Sequence, residues 1–385
     1  MKPLKSLHST PVLLGGALLL TATACGGQKW SEVENDSIRT VTQKGGATLG
    51  YSARSGVQLL TVDGFAFKDL NRNGQLDKYE DWRLKPEQRA ADLASQLSVE
   101  EIAGLMLYSA HQSIPGASKG FGSSLYNGKP FAESGCEASD LSDAQRKFLV
   151  EDNVRQVLIT KVQSPEVAAR WNNNVQALVE GIGHGIPANN SSDPRHGTQA
   201  DTEYNYGSGG QISLWPGSLG LAATFRPEVV RRFGEIASIE YRALGIATAL
   251  SPQVDMATDP RWSRVSGTFG EDAGLATDMA RAYVDGFQTS TGDKELADGW
   301  GFQSVNAMVK HWPGGGSGEG GRDAHYGYGK YAVYPGKNIE QQKKPFVEGA
   351  FNLEGATKKA SAVMPYYTIS VGMNPNGEDI ANSYN

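Results

Sequence analysis

The sequence lacks the features that mark several large classes of protein. Its net charge is −6, and no dense stripe of lysine and arginine occurs in it, which argues against a general nucleic-acid binder. It contains no internal repeat, and no glycine fingerprint for a dinucleotide follows an early strand. Its apolar content is ordinary, so the 385 residues can bury a sizeable core as one large domain with appendages or as two domains.

Cysteine is also scarce, and one of the two cysteines lies in an amino-terminal targeting signal. An apolar run at residues 12–20 follows a basic start and is too short to span a bilayer comfortably. Small residues then precede Cys25, and together they resemble the lipobox of bacterial lipoproteins. We therefore predict a signal peptide over residues 1–24 and a lipid anchor on Cys25, which would hold an exported protein in the periplasm or at the outer membrane. The alternative is plain secretion with cleavage near Ala24.

The residues after this signal predict a flexible connection. Residues 25–60 are polar and irregular, so we expect a tether between the membrane and a folded domain. If Cys25 carries lipid, Cys136 is the only remaining thiol, and no internal disulfide can form.

The segment 61–84 contains a calcium loop of the EF-hand type that runs from Asp69 to Glu80. Gly74 occupies the position of the sharp turn, and Glu80 closes the loop with two carboxylate oxygens. No entering helix precedes the loop, so we expect a fixed structural Ca²⁺ rather than a sensor; the alternative is a polar turn without metal. The predicted ligands are Asp69, Asn71, Asn73, Gln75 through its carbonyl, Asp77 and Glu80.

From residue 85 onward the pattern alternates between helices and strands. Apolar faces and capping residues predict helices at 86–96, from Ser98, from Ser164 to Gly181, at 227–244 and at 273–287. Apolar runs predict strands between them, at 154–162, 185–188, 246–250, 305–309 and 362–364. The last four runs lead into polar side chains, which places a site at the carboxyl ends of parallel strands. An open doubly wound sheet is the rival fold.

Four segments together resemble glycoside hydrolase family 3, in the family's order, over residues 85–385. They are Ser192-Asp193-Pro194-Arg195-His196-Gly197, Asp259-Pro260-Arg261-Trp262-Ser263-Arg264 with Phe269-Gly270-Glu271-Asp272, Lys310-His311-Trp312-Pro313-Gly314, and Ala362-Val363-Met364-Pro365-Tyr366-Tyr367. The resemblance implies a (β/α)₈ TIM-like barrel that hydrolyses β-linked glycosides from the non-reducing end with retention of configuration. It implies no cofactor for catalysis.

The resemblance also implies which side chains hold the −1 sugar of an oligosaccharide or β-glycoside. They are Asp193, Arg264, Lys310, His311 and Tyr367. Charged donors and a carboxylate form strong hydrogen bonds to hydroxyl groups, and contacts to the 2-OH strengthen in the transition state. Trp215, Trp262 and Trp312 are either stacking platforms or core residues.

The nucleophile expected from the resemblance is not found in the chain. A retaining mechanism needs two carboxyl groups about 5 Å apart. In the family the nucleophilic aspartate lies beyond the tyrosine strand in a Ser/Thr-Asp-Trp setting, and no such segment occurs between Tyr367 and Asn385. We therefore expect a barrel that is incomplete at its C-terminal end and inactive as given. Nothing supports Asp255, Glu271 or Asp272 as a substitute.

The acid/base has two possible sources. Many members of the family supply it from a second domain, whereas bacterial β-N-acetylglucosaminidases use an Asp-x-His pair after the Lys-His motif. Asp323-Ala324-His325 has that shape, and a histidine oriented by a carboxylate can transfer protons near neutral pH. The functions left open are a β-glucosidase, a β-xylosidase or β-N-acetylhexosaminidase of the same family, and a catalytically incomplete glycan-binding lipoprotein.

Overall fold

A computed structural model describes residues 28–120, 122–197, 212–374 and 376–384. The chain divides into two compact units, Met1–Gln96 and Leu97–Asn385. The boundary therefore follows Gln96 rather than residue 84, so the first predicted helix groups with the amino-terminal unit. The predicted signal peptide and Cys25 lie outside the described residues.

The amino-terminal unit contains a small antiparallel sheet where a tether was predicted. Residues 30–52 form its three strands, so the prediction of an irregular 25–60 segment is wrong for this part. The strands are short and carry few apolar side chains, which hid their alternation. Val41 and Tyr51 are nevertheless buried against Val57 and Ala66. The elements are β1 Trp30–Asn35, β2 Ile38–Gln43, β3 Leu49–Ser52, the hairpin β4 Gln58–Val62 with β5 Phe65–Asp69, and helix α1 Pro86–Gln96.

The second unit is organised around six parallel strands. Along the sheet the strands keep the order that they have in the chain, each pairing with the next. A doubly wound sheet reverses its order at a switch point, whereas a barrel does not, so this order favours the barrel. Within the described residues the two edge strands do not pair with each other. The strands are β6 Gln112–Ile114, β7 Gln156–Val162, β8 Asn189–Ser192, β9 Thr248–Ala249, β10 Asn306–Trp312 and β11 Ala362–Pro365.

Helices connect these strands and cover the sheet. The capping box at Ser98 is present, Ser164 caps the helix after β7, and Asp272 caps the helix before β10. The apolar faces of the helix after β7 and of the helix before β10 are buried in one core with the strands, whereas the helix capped by Ser98 buries only Gly104. The helices are α2 Val99–Leu105, α3 Phe131–Ser134, α4 Asp143–Val150, α5 Pro165–Glu180, α6 Ser218–Ala222, α7 Pro227–Ala243, α8 Ala273–Gln288 and α9 Ile339–Lys344, which continues as a π-helical turn at Pro345–Ala350. None of the helices in the described ranges has the length and apolar character needed to cross a membrane.

Five of the six parallel strands were predicted, whereas β6 was missed, and one predicted strand is shifted because the strand itself is polar. The apolar run 185–188 precedes β8, and the strand itself consists of asparagine and serine. Its buried side chains are hydrogen-bonded: Asn190 Nδ2 donates to Asn172 Oδ1 at 2.8 Å, and Ser191 Oγ donates to the Val157 carbonyl at 3.1 Å. Because these partners satisfy the donors, a strand without apolar side chains can lie inside the sheet, although Asn190 Oδ1 has no partner among the described residues.

Candidate functional site

A cavity of about 360 Å³ opens where the carboxyl ends of the strands meet. This volume falls within the range of ligand pockets, roughly 300–1,000 Å³. The structure brings all five predicted −1 residues and both members of the Asp-x-His pair to its wall. The lining residues are His111, Leu158, Asp193, Leu250, Ser263, Arg264, Lys310, His311, Asp323, His325, Tyr326, Met364 and Tyr367.

A lysine–aspartate pair joins two strands at the cavity wall. Lys310 Nζ lies 2.6 Å from Asp193 Oδ1, and the lysine side chain is 6% exposed. Burial lowers the pKa of Lys310; Asp193 opposes that shift and Arg264 adds to it. Burial alone would raise the pKa of Asp193, but Lys310 and Arg264 hold it below its usual value. The pair therefore presents an anionic acceptor and a cationic donor side by side, which is the chemistry needed to grip hydroxyl groups.

His311 is held in one tautomer by groups on either side. Its Nδ1 lies 2.7 Å from Asp255 Oδ2, and its Nε2 lies 3.2 Å from Arg264 Nη1. Because guanidinium can only donate, Nε2 must accept and Nδ1 must carry the proton. Burial lowers the pKa of His311 to about 4, although Asp255 opposes the shift. The imidazole is therefore neutral at pH 7. The Lys310–His311 peptide bond is cis.

Asp255 holds His311 in place through hydrogen bonds. It is fully buried, and its Oδ1 accepts hydrogen bonds from the backbone N–H of His311 at 3.0 Å and of Gly315 at 2.5 Å. Burial would raise the pKa of Asp255, but His311 and these N–H donors keep it below its usual value. One carboxylate thus orients the imidazole and the first turn of the glycine-rich loop. Asp255 acts as a positioning residue and has no open oxygen for nucleophilic attack.

The two tyrosines that follow β11 occupy different surroundings. Tyr366 is buried and its ring centroid lies 4.9 Å from that of His311. Tyr367 is 57% exposed and meets His325 edge to face, with centroids 5.1 Å apart. Tyr367 therefore forms part of the cavity rim, and Tyr366 supports the wall.

The Asp-x-His pair forms a hydrogen-bonded dyad in the loop after β10. His325 Nδ1 lies 2.5 Å from Asp323 Oδ1, and Asp323 Oδ2 accepts from Trp262 Nε1 at 2.8 Å. Burial would raise the pKa of Asp323, but these donors lower it strongly. Asp323 is thus an anion that orients His325, which itself lines the cavity.

Sequence reasoning missed some residues and left others open. His111, which immediately precedes β6, and Tyr326 line the cavity without having been predicted to do so. Burial lowers the pKa of His111, and Asp193 opposes the shift. The polar residues after β9 indicated that Asp255 lies near the site, but the sequence spacing did not predict its contact with His311. The three open tryptophans are packing residues: Trp262 anchors Asp323, Trp312 packs on Phe346 and Phe351, and Trp215 meets Phe233.

The predicted calcium loop is closed by its own hydrogen bonds. Asp69 accepts from the backbone N–H of Asn73 and of Gly74, and Glu80 Oε2 accepts from that of Asp77. Gly74 has φ +76°, as the sharp turn requires. No group of three or more His, Cys, Asp or Glu side chains is arranged to hold a metal in the residues that the structure covers. Occupation by Ca²⁺ would therefore depend on the asparagine oxygens and the Gln75 carbonyl as well.

The asparagine side chains of this loop are not oriented to bind an ion. Asn71 Nδ2 donates to Asp77 Oδ2 at 2.6 Å, and Asn73 Nδ2 donates to the same oxygen at 2.8 Å. An ion in the loop would require both amides to turn their oxygens inward. The all-oxygen donor set suits Ca²⁺, but in the hydrogen-bonding arrangement of the structure the asparagine oxygens do not face the centre of the loop.

Comparisons with known proteins agree with the fold and the cavity. The model of the glycosyl hydrolase family 3 N terminal domain matches residues 123–365. A periplasmic beta-glucosidase/beta-xylosidase of Dickeya chrysanthemi is 42% identical over 82% of this chain and 44% of that protein. A probable beta-glucosidase C of Aspergillus oryzae is 37% identical with the same coverage, 82% and 44%. The chain thus spans less than half the length of these relatives.

A solved structure extends the likeness to three dimensions. The b-glucosidase of Erythrobacter marinus superposes with a TM-score of 0.56 and 25% identity, over 77% of this chain and 34% of that one. The sequential parallel sheet agrees with the TIM-barrel-like domain of such proteins. Motif, family model and fold lead to one conclusion: the chain belongs to glycoside hydrolase family 3.

Proposed function

We propose that this chain supplies the −1 subsite of an exo-acting β-glucosidase, which removes terminal β-linked glucosyl residues from oligosaccharides with retention. The observation that carries the proposal is the convergence of Asp193, Arg264, Lys310, His311 and Tyr367 on one cavity of about 360 Å³. An anion and two cations compensate one another there, so the site suits an uncharged pyranose with several hydroxyls. A β-xylosidase would use the same contacts on a pentose.

The residues of this chain bind and orient the sugar. Asp193 accepts from sugar hydroxyls, and Lys310 and Arg264 donate to sugar oxygens. His311 is neutral, and its Nε2 faces Arg264, so it packs against and orients that donor. Contacts of this kind accelerate the reaction to the extent that they strengthen as the ring becomes oxocarbenium-like.

The nucleophile is proposed to lie in a segment beyond Asn385. Among the described residues, both carboxylates that line the cavity are engaged, Asp193 with Lys310 and Asp323 with His325 and Trp262. An activated 2-deoxy-2-fluoro-β-glucoside, which traps the glycosyl-enzyme, should leave this chain unlabelled. A label on any carboxylate of residues 28–384 would contradict the assignment. A downstream reading frame that encodes an aspartate strand would support it.

A second candidate function is that of a β-N-acetylhexosaminidase. The observation in its favour is the Asp323–His325 dyad at the cavity, in which the carboxylate fixes the imidazole for proton transfer. Tighter binding of N-acetylglucosamine than of glucose would favour it. Glucose binding without turnover by the longer protein would instead favour a glycan-binding lipoprotein.

The proposal for glucose binding is tested by calorimetry on this chain. We expect glucose to bind, and Asp193→Asn to weaken it at least tenfold, since a charge-assisted hydrogen bond is worth about 1.5–3 kcal/mol. Asp278→Asn is the matched control, because Asp278 is 57% exposed and pairs with Arg281 on the surface of α8. Absence of glucose binding, or equal loss in both variants, would contradict the assignment.

Export and anchoring are proposed from the amino terminus. The Dickeya relative is named periplasmic, and the lipobox-like residues before Cys25 fit a lipoprotein. Labelled palmitate should enter the protein in cells, and Cys25→Ser should abolish incorporation. Release of an unlabelled mature protein would favour plain secretion.

A structural Ca²⁺ in the loop from Asp69 to Glu80 is also proposed. The donor types and the turn at Gly74 support it. Terbium luminescence sensitised by a nearby aromatic ring should appear on titration and be displaced by Ca²⁺.

A further inference from the structure

Two tyrosine rings stack at the rim of the cavity without a role in the −1 subsite. The rings of Tyr326 and Tyr328 are nearly parallel, at 3°, with centroids 5.3 Å apart. Their side chains are 43% and 67% exposed. Tyr326 lines the cavity, so the pair extends its wall outward as an apolar surface, which we call the tyrosine platform.

The platform is held on an ordered turn. The Tyr326 N–H donates to the Asp323 carbonyl, and the Gly329 N–H donates to the Tyr326 carbonyl at 2.8 Å. A Cβ on Gly329 would overlap the Asp323 carbonyl oxygen, so the turn requires glycine there. Asp323 is itself anchored to Trp262. The same short turn therefore fixes the dyad and the platform relative to each other, and little ordering is left for a ligand to impose.

The far end of this loop is fixed as well. Tyr331–Ala332 pairs in parallel with Ile369–Ser370, in the segment that follows β11. The Ile369 N–H donates to the Lys330 carbonyl at 2.7 Å. The loop thus begins at β10, which carries Lys310 and His311, and its far end is paired with the segment just beyond Tyr367.

The chemistry of the rim differs from that of the cavity floor. The floor carries Asp193, Arg264 and Lys310, which recognise hydroxyl groups. The platform offers flat ring faces with electron-rich π systems, and the C–H face of a pyranose packs on such faces. An anionic ligand would gain little there, whereas a second neutral sugar would cover apolar area that is otherwise exposed to water.

We propose that Tyr326 and Tyr328 form the binding platform for the leaving-group sugar of a β-linked oligosaccharide, next to the −1 subsite. This inference rests on the proposed function, because the first sugar must occupy the cavity for the second to reach the platform. The platform makes the site favour disaccharides and longer chains over free monosaccharides.

The test compares glucose with an S-linked cellobiose analogue, which is not hydrolysed, by calorimetry on this chain. We expect the disaccharide to bind about five- to tenfold more tightly, the worth of a well-packed aromatic contact. Tyr328→Ala should abolish this preference and leave glucose affinity unchanged, and Tyr328→Phe should keep it because the ring remains. Phe302→Ala is the control: Phe302 is 61% exposed and precedes β10, at the end of the sheet opposite the cavity.

The outcomes separate this inference from the function on which it rests. If glucose binds but Tyr328→Ala keeps the preference, or if the disaccharide binds no better than glucose, the platform is refuted and the −1 subsite stands. If neither sugar binds, the −1 subsite fails and the platform with it.

Discussion

Replacing Asp255 by asparagine tests the mechanism that positions His311. Asparagine has nearly the same shape as aspartate but a single acceptor oxygen and a donating amide. If that oxygen keeps the backbone N–H groups of His311 and Gly315, the amide must face His311 Nδ1. The imidazole must then move its proton to Nε2, where it meets the donor on Arg264. Whichever tautomer forms, the substitution leaves two donors facing each other at one end of the ring.

The structure sets the size of the expected effect. Asp255 is fully buried and accepts three hydrogen bonds. One buried donor left unsatisfied costs about 1–3 kcal/mol, and the two remaining bonds lose their charge assistance. Removing one partner of a buried ion pair costs about 3–5 kcal/mol. Because His311 is neutral, its contact with Asp255 is weaker than an ion pair, so this cost is an upper limit for the variant. We expect the free energy of unfolding to fall by about 2–4 kcal/mol.

Urea denaturation of wild type and variant measures this change, with tryptophan fluorescence as the signal. Asp278→Asn serves as the exposed control and should stay within about 0.5 kcal/mol of wild type. The ¹⁵N chemical shifts of labelled histidine report the tautomer of His311. The chain has 6 histidines, so few signals have to be assigned. A destabilisation no larger than that of the control, with Nδ1 still protonated, would refute the reasoning.

The pH dependence has a defined sign. The folded-state pKa of Asp255 is lowered, so its stabilising contribution is present above the unfolded value of about 3.9 and is lost as pH falls through the folded value. The difference between wild type and Asp255→Asn should therefore be largest near neutral pH and shrink in acid.

Three further predictions test the lysine–aspartate pair, the anchor of the Asp323–His325 dyad and the proposed calcium loop. Lys310→Met leaves Asp193 without its 2.6 Å partner and should weaken glucose binding at least tenfold in calorimetry; unchanged affinity would show that the pair does not grip the sugar. Trp262→Phe removes the 2.8 Å hydrogen bond to Asp323 and should lower the urea stability by about 1–3 kcal/mol, whereas an effect no larger than that of Asp278→Asn would contradict an anchoring role. A chelator should lower the melting temperature of the wild type but not of Glu80→Gln; equal melting with and without Ca²⁺ would exclude a structural ion.

The five predicted helices and the polar ends of the predicted strands were predictable because their signals are local, whereas α3, α4, α6 and α9 were not predicted. The capping box at Ser98, the cap at Ser164 and the stop at Gly181 are all confirmed. The predicted site residues follow apolar runs, and parallel strands bring such positions to one edge. The Asp323–His325 contact spans only two residues, so the motif already contained it.

The errors arose where the determining contacts are distant in sequence. Asp255 meets His311 across 56 residues, and no spacing rule connects them. The strand β8 is polar because its side chains find partners on neighbouring elements, which its own sequence does not reveal. The small amino-terminal sheet was missed because its core needs Val57 and Ala66 as well as the strands themselves.

The Lys310–Asp193 contact has a consequence for how the chain folds. Its two residues are separated by 117 positions, and closing so long a loop costs entropy before any contact compensates for it. The helices can form early, but β8 and β10 must both be in place before the pair exists. We therefore expect the proposed sugar affinity to be acquired late in folding, so that a refolding chain able to bind glucose has already assembled its sheet.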